Sequence, residues 1–418
     1  MTAVPAGAVA PTPVRFTAGW VVVAASFTVL LVSSGLGFYG LSVYLAAITR
    51  EQGFSTGSVS AATSVFFIVS GITGRLVAPL IARVDVRWVL MGGAALSALS
   101  LLLLGRVTSI AQIFLVYVFF GAGFAAGGLV PTTTVLTRWF HRRRALALSV
   151  ASTGLSVGGL TLTRMASGLI SDEGMEAATP WLALTYLVIM AIAVPFVYPS
   201  PAARGLRPDG AVIAEGEEAP AIDGVPYERA VRSRYFILAT VAFVCFMGAQ
   251  VGGIAQLAKL GEERVDVDAG ALALSVLALC SVIFRLIGGA LAPRLPLTGM
   301  AAGLAVVQTF ALAALAFVGG EAGLLAASAL FGATVGNLLM LQPLLMAEVF
   351  GVLDYPRVFS LNQLIVSAGV AVGPFLLGVL HDSSGYRLAY LVAAALSFLG
   401  ALALWSAGPA DRTRAALA

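Results

Sequence analysis

Charge is what this 418-residue chain has least of: 11% of its residues are Asp, Glu, Lys or Arg against 59% hydrophobic, and the mean hydropathy is +0.98. Soluble domains carry about a quarter charged residues, so a water-soluble globule is excluded. Cysteine is nearly absent. Cys245 and Cys280 both fall in apolar segments, where a disulfide has no evident use, and they read as packing residues. The two histidines, His141 and His381, lie without nitrogen, sulfur or carboxylate ligands at metal spacing, which points to solvated or capping roles, with no metal and no cofactor expected. No glycine-rich loop followed by Lys-Ser/Thr is present, which argues against ATP-driven chemistry. No Ser-His-acid set, carboxylate pair or metal cluster lies at membrane depth, which argues against an enzyme. Residues 1–14 lack a basic n-region and carry Pro5, Pro11 and Pro13, so the first apolar segment is not read as a cleaved signal.

What the chain has is long apolar runs. Twelve segments approach the ~20 residues that cross a hydrocarbon core of ~30 Å, among them 17–45, 110–136, 269–292, 358–380 and 386–407. The fold class predicted is an all-α membrane protein of twelve transmembrane helices in two pseudo-symmetric six-helix bundles. The expected divisions are a cytoplasmic tail 1–16, a first bundle 17–198, a cytoplasmic linker 199–233, a second bundle 234–407 and a cytoplasmic tail 408–418. Proline, acidic residues and weak apolar periodicity mark the linker. With both termini inside, most of the 24 basic residues fall on the inner side, and Arg50, Arg106, Lys259, Arg264 and Arg387 on the outer. The net charge of +4 then reflects topology, not nucleic-acid binding, and the expected location is a multi-pass protein of the inner (plasma) membrane.

Arg285 lies inside the apolar run 269–292. Its guanidinium stays charged, and at a membrane helix centre it costs roughly 2.5–3.5 kcal/mol, so it should face a wet cavity or an anionic partner. Ties to backbone carbonyls or to a loop carboxylate near the helix end, or snorkelling to the interface, are the structural alternative. Around it we count as candidate substrate contacts Tyr117, Tyr39, Asn337, Ser281, Arg164, Asn362 and Gln363. Each has a second reading: packing or an interfacial position for the tyrosines, and interhelical hydrogen bonds for Asn362, Gln363 and Gln342. Arg75 is expected to anchor its span at the cytoplasmic end.

The halves echo each other. Gly74-Arg75-Leu-Val-Ala-Pro resembles Phe284-Arg285-Leu-Ile-Gly-Gly, and Ser152-Thr-Gly154-Leu-Ser-Val-Gly158 matches Ser367-Ala-Gly369-Val-Ala-Val-Gly373, as in carriers whose halves rock about a midplane site. Gly154/Gly158, Gly248/Gly252 and Gly369/Gly373 permit close helix approach, expected at the seam between bundles.

The stretch from Trp139-Phe140-His141-Arg142-Arg143-Arg144-Ala145-Leu146 through Gly154 to Gly158 resembles the fourth-to-fifth-helix signature of the monocarboxylate transporter family, departing from it at Arg142, Ser149 (Gly in the signature), Thr153 and Leu155. Gly369-x-x-x-Gly373-Pro374 to His381-Asp382 and Gly385-Tyr386 is similar to the eleventh-span ending of the monocarboxylate and oxalate/formate branches. The resemblance implies a major facilitator fold and a carrier. In the wider superfamily, the loop after the second span locks the bundles. Leu80, Arg83 and Arg87 fit it, the acidic position is Ala82, and Asp85 or Glu348 are the available substitutes. Arg83, Asp85, Arg87 and Arg294 are the expected gating set. Arg285, Gly288 and Gly289 match the eighth-span pattern, whereas its acidic residue is replaced by Ser281 and its first-span basic residue is missing from Ser33 to Gly40.

These readings predict a secondary active or facilitative transporter of small organic anions, monocarboxylates first, working by alternating access in the lipid bilayer with Arg285 on the substrate carboxylate. The competing classes are an efflux carrier for amphipathic compounds and a non-transport nutrient sensor. All twenty acidic residues lie in tails, loops or span ends, so exchange or facilitated movement is expected over proton coupling through a deep carboxylate, leaving the substrate, Asp382 or His381 to carry any proton.

Overall fold

The computed structural model describes residues 17–54, 56–210 and 223–417; the expected tail 1–16 and residues 211–222 of the expected linker lie outside the described residues. The first half comprises α1 (Thr17–Val32), α2 (Gly40–Gln52), α3 (Thr56–Ile81), α4 (Val86–Leu104), α5 (Ile110–Ala126), α6 (Leu129–Trp139), α7 (Arg144–Glu173) and α8 (Met175–Ala193). A short helix α9 (Tyr227–Val231) precedes the second half: α10 (Arg234–Arg264), α11 (Val267–Leu291), α12 (Leu297–Ala316), α13 (Glu321–Phe350), α14 (Tyr355–Ala407) and α15 (Ala410–Leu417). Among the described residues, 11 helical stretches are long and apolar enough to cross a membrane, and α14 reverses at Gly385 (φ 78, ψ 174). The positive φ there suits a residue without a side chain, and it divides the last stretch into two crossings, twelve in total.

The helices start where the sequence supplies caps. Asp85 accepts from the Arg87 amide at 2.9 Å, Ser109 and Gln112 form a reciprocal capping box, and Ser233 and Asp266 cap α10 and α11. Two spans are irregular inside. Between α1 and α2 the Ser-Ser-Gly-Leu-Gly-Phe stretch, Ser33–Phe38, is a π-helix, and side chains link it to α7: Thr163 donates to the Gly35 carbonyl at 2.8 Å, and Ser34 donates to Leu155 O at 2.6 Å. The first span thus runs on to Gln52, beyond the predicted 45, because the wide turn carries the helix through its glycines. The fourth breaks at Gly127 and Gly128 between α5 and α6 and ends at Trp139, where 136 was expected.

Each half packs as a bundle. Helix α1 lies on α7, α3 and α4 on α5, α4 on α8, α10 and α12 on α14, and α11 on α13. Lipid offers no hydrophobic force between helices, so close backbone contact does much of this work. Added Cβ atoms would meet Leu31 C at 2.8 Å from Gly158 and Gly248 C at 2.9 Å from Gly373. The repeated glycines therefore join the first span to the fifth and the seventh to the eleventh. This corrects the expectation that they line the seam between bundles: spacing of i, i+4 defines a helix face but not the neighbour it meets.

We term the face at which α1 begins proximal. The halves meet through α3 against α14 and α7 against α11 and α13. The side-chain contacts between them sit toward the proximal end: a Cβ on Gly71 would meet Leu364 and Ser367, and one on Gly289 would reach Ser149 Oγ at 2.6 Å.

Candidate functional site

Arg285 lies six residues, about 9 Å, from the proximal end of α11. It is 1% exposed, among the largest fully buried side chains. Its Nη1 donates across the bundle interface to the Ser152 carbonyl of α7, and Ser149 Oγ of α7 donates back to the Arg285 carbonyl at 2.6 Å. The carbonyl tie, weighed as the structural alternative, is thus one of its contacts. Among the described residues no carboxylate forms an ion pair with it, and its Nε has no hydrogen-bond partner. Burying an ion costs several kcal/mol even after relaxation, whereas one charge-assisted hydrogen bond returns about 1.5–3 kcal/mol, so these contacts offset only part of the cost of burying the guanidinium.

The sequence pattern supplies room for this side chain. A Cβ at Gly336 of α13 would run into the Ser281 carbonyl oxygen and lie 2.8 Å from Arg285 Nε, so glycine here lets α13 approach both the α11 backbone and the arginine side chain. Gly288 is needed for a different neighbour, since a Cβ there would run into the Asn337 amide. Asn337 donates to Phe284 O and Ala333 O, both at 2.9 Å, and so ties α13 to α11, while its Oδ1 is left without a partner. Ser281, one turn before Arg285, is buried with an unpartnered Oγ.

Tyr39, at the junction of the π-helix and α2, lies within electrostatic reach of Arg285 and packs on Gly159 of α7. Tyr39 is 41% exposed, whereas Arg285 beside it is buried. Arg285, Tyr39, Ser281 and Asn337 therefore cluster about α11.

The other candidates lie elsewhere. Tyr117 is fully buried inside the first bundle among Thr63, Phe66 and Tyr44, which is a packing position. Asn362 and Gln363 belong to an interhelical network: Gln342 Nε2 donates to Asn362 Oδ1 at 2.8 Å and to Gln363 Oε1 at 3.1 Å, and Asn362 donates to Thr240 at 2.9 Å. Arg164 is exposed, twelve residues and about 18 Å along α7 from Ser152.

The expected gating residues do not bridge the bundles in these contacts. Asp85 pairs with Arg87 at 3.4 Å on the same helix start, while Arg83 and Arg294 are exposed. A further cross-bundle contact is made by Arg144, which is buried at the start of α7. It donates to Phe140 O at 3.0 Å, Thr137 O at 3.3 Å and Ala347 O of α13 at 3.4 Å, with Glu348 at 3.9 Å. Sequence reasoning named Glu348 as a substitute acid but missed Arg144, although it stands in the Arg142–Arg144 run. It also missed Ser149 and Ser152, whose only signal was Ser149 in place of the signature's Gly. His381 of α14 sits between Glu263 of α10, 3.1 Å away, and Asp382, 3.2 Å away, at the distal end. His141, Arg142 and Arg143 turn their backbone amides onto Asp209.

Comparison with known proteins agrees with this architecture. The model of the Major Facilitator Superfamily matches residues 27–350 and 238–417. Monocarboxylate transporter 11 of Mus musculus is 27% identical over 409 residues, covering 91% of this chain and 86% of its own. Monocarboxylate transporter 13 of Bos taurus is 26% identical over 391 residues, covering 91% and 87%. The fucose:proton symporter of E. coli superposes with a TM-score of 0.70 at 17% identity over 94% of this chain and 99% of its own. The human organic anion transporter MFSD10 does so with a TM-score of 0.65 at 14% identity over 94% and 100%. At those identities the two structures speak to the fold alone. With two bundles, twelve crossings and a superfamily model that covers most of its length, this chain belongs to the major facilitator superfamily and is similar to its monocarboxylate transporters.

Proposed function

We propose that this protein carries small organic anions, monocarboxylates first, across the membrane by alternating access, with Arg285 holding the substrate carboxylate. One observation carries the reading: a buried guanidinium has no carboxylate among the described residues to neutralise it. A planar guanidinium matches a carboxylate through two parallel hydrogen bonds. Tyr39 supplies a hydroxyl and a ring face at the same place, suited to the polar and alkyl parts of a short acid. Ser281 Oγ and Asn337 Oδ1 add polar atoms that no protein group uses. The relatives named as monocarboxylate transporters support the same substrate class.

The charge inventory points to exchange of one carboxylate for another, or to facilitated movement. Guanidinium does not release its proton in proteins, and the position one turn before Arg285 is Ser281. We place the proximal face, where the basic loops cluster, on the cytoplasmic side. Counterflow tests the reading. Proteoliposomes preloaded with unlabelled mono- or dicarboxylates are expected to accumulate labelled acid transiently, and matched neutral amides should not support it. Failure of every acid in the panel to drive counterflow, with protein that is monodisperse and correctly inserted, would overturn the assignment.

A further inference from the structure

The superfamily's locking carboxylate is replaced by Ala82 here, and a different device occupies the same face. Tyr227, the first residue of α9, lies between two arginines from opposite bundles. Arg75 of α3 stands 4.7 Å from its ring centroid and Arg357 of α14 stands 4.4 Å from it. The Tyr227 hydroxyl accepts from Arg75 Nη2 at 2.7 Å. Two cationic groups within reach of one aromatic ring both use its negative quadrupole.

The segment that carries Tyr227 is fixed to the second bundle. Val225 N donates to Phe350 O at 2.8 Å, Val352 N donates to Asp223 O at 2.9 Å, and Gly224 bridges Gly351. Tyr227 N donates to Asp354 Oδ2 at 2.8 Å, and the other oxygen of that carboxylate lies 3.9 Å from Arg357 Nη1. Asp223 also pairs with Arg414 of α15, which donates to Glu348 O at 3.3 Å. The ring is therefore held out from the second bundle toward the first by four attachments, and Arg75 is the group that meets it there.

We propose that Tyr227 is the lock of the proximal face: a ring tethered to the second bundle by its own backbone and clamped to the first by Arg75, which holds the cleft shut on that side and must release for it to open. Arg75 is the eighth-span arginine's counterpart in the internal repeat. One repeat-related arginine thus serves the substrate cluster and the other the lock. Tyr227 acts through the bundles and touches no substrate, so it is a positioning residue, and its role stands independently of which anion is carried.

The test reads accessibility and not transport. In full-length protein with Cys245 and Cys280 replaced by Ser, a single Leu339→Cys reports on the small void between the bundles that Leu30, Leu136, Leu148 and Met340 also line. Tyr227→Ala is expected to raise the rate of its maleimide labelling from the proximal face by about tenfold, the combined weight of two partly exposed cation–π contacts. Tyr227→Phe, which keeps the ring, should stay within about threefold of the parent, and Tyr227→Trp should match it. Arg75→Gln removes the first bundle's cation while leaving Tyr227 in place, and an intermediate rise is expected, so the lock remains testable should Tyr227→Ala fold poorly. An unchanged labelling rate in a folded Tyr227→Ala or Arg75→Gln protein would overturn the proposal. So would a Tyr227→Phe variant that opens as far as Tyr227→Ala, because the ring would then contribute nothing.

Discussion

Ser149 and Arg285 exchange roles across the seam between the bundles: the serine hydroxyl donates to the arginine's carbonyl, and the guanidinium donates to the carbonyl of Ser152 three residues on. Both bonds close the proximal half, so the residue proposed to hold the substrate also helps keep that half shut. A carboxylate that engages the guanidinium competes with the Ser152 carbonyl, which links occupancy of the site to the seam. Ser149→Ala removes one of the two bonds at little cost in volume. A buried hydrogen bond contributes about 0.5–1.5 kcal/mol, and the single-cysteine reporter at Leu339→Cys is expected to label about two- to tenfold faster from the proximal face. Labelling unchanged from the parent would show that this bond is absent from the closed seam. Arg285 was legible in the sequence because a charge among apolar residues stands out at any register. Ser149 and Ser152 were not, since serine is common in membrane helices and hydropathy does not say which neighbour it faces.

Most of the helices were legible, for the plain reason that a crossing needs a run of apolar residues of a set length. The irregular places were not. Hydropathy is blind to a change from α to π hydrogen bonding at Ser33–Phe38, and to a break at Gly127 and Gly128 within one apolar run. The former places Tyr39 beside Arg285, so the site depends on a feature that composition conceals. The glycine pairs were correctly seen as packing positions and misassigned in partner. A substitution series checks the corrected assignment. Gly158→Val should lower the thermal unfolding midpoint in detergent by several degrees or prevent folding, because its Cβ would press on the first span's backbone and overpacking costs about 1–3 kcal/mol. Gly168→Ala, with nothing within 4 Å of the added carbon, should change the midpoint little. Equal effects at the two sites would remove the argument that backbone approach between the first and fifth spans holds the bundle together.

At the scale of the whole molecule, the seam between bundles is closed by three sets of proximal contacts: Arg144 with Ala347 and Glu348, Arg285 with Ser149 and Ser152, and Tyr227 between Arg75 and Arg357. None of the three depends on the loop carboxylate that locks other members of the superfamily. The tether through Tyr227 was hidden from sequence reasoning because the linker read as proline-rich and acidic, and nothing in its composition announces that one of its aromatic rings reaches both bundles. On the proposed mechanism, opening the proximal face requires all three sets to give way, with an anion drawing Arg285 from the Ser152 carbonyl as the first step. The measurement that bears most directly on this account is saturable uptake of a labelled monocarboxylate by proteoliposomes, for the parent protein and for Arg285→Ala and Arg285→Lys inserted to equal extent, with the neutral amide of the same acid as competitor. The account predicts that the parent saturates with the acid and ignores the amide, and that both variants lose uptake by at least about tenfold, because neither alanine nor a lysine point charge reproduces the paired hydrogen bonds. Saturation of either variant at the parent's apparent KM and rate would contradict it.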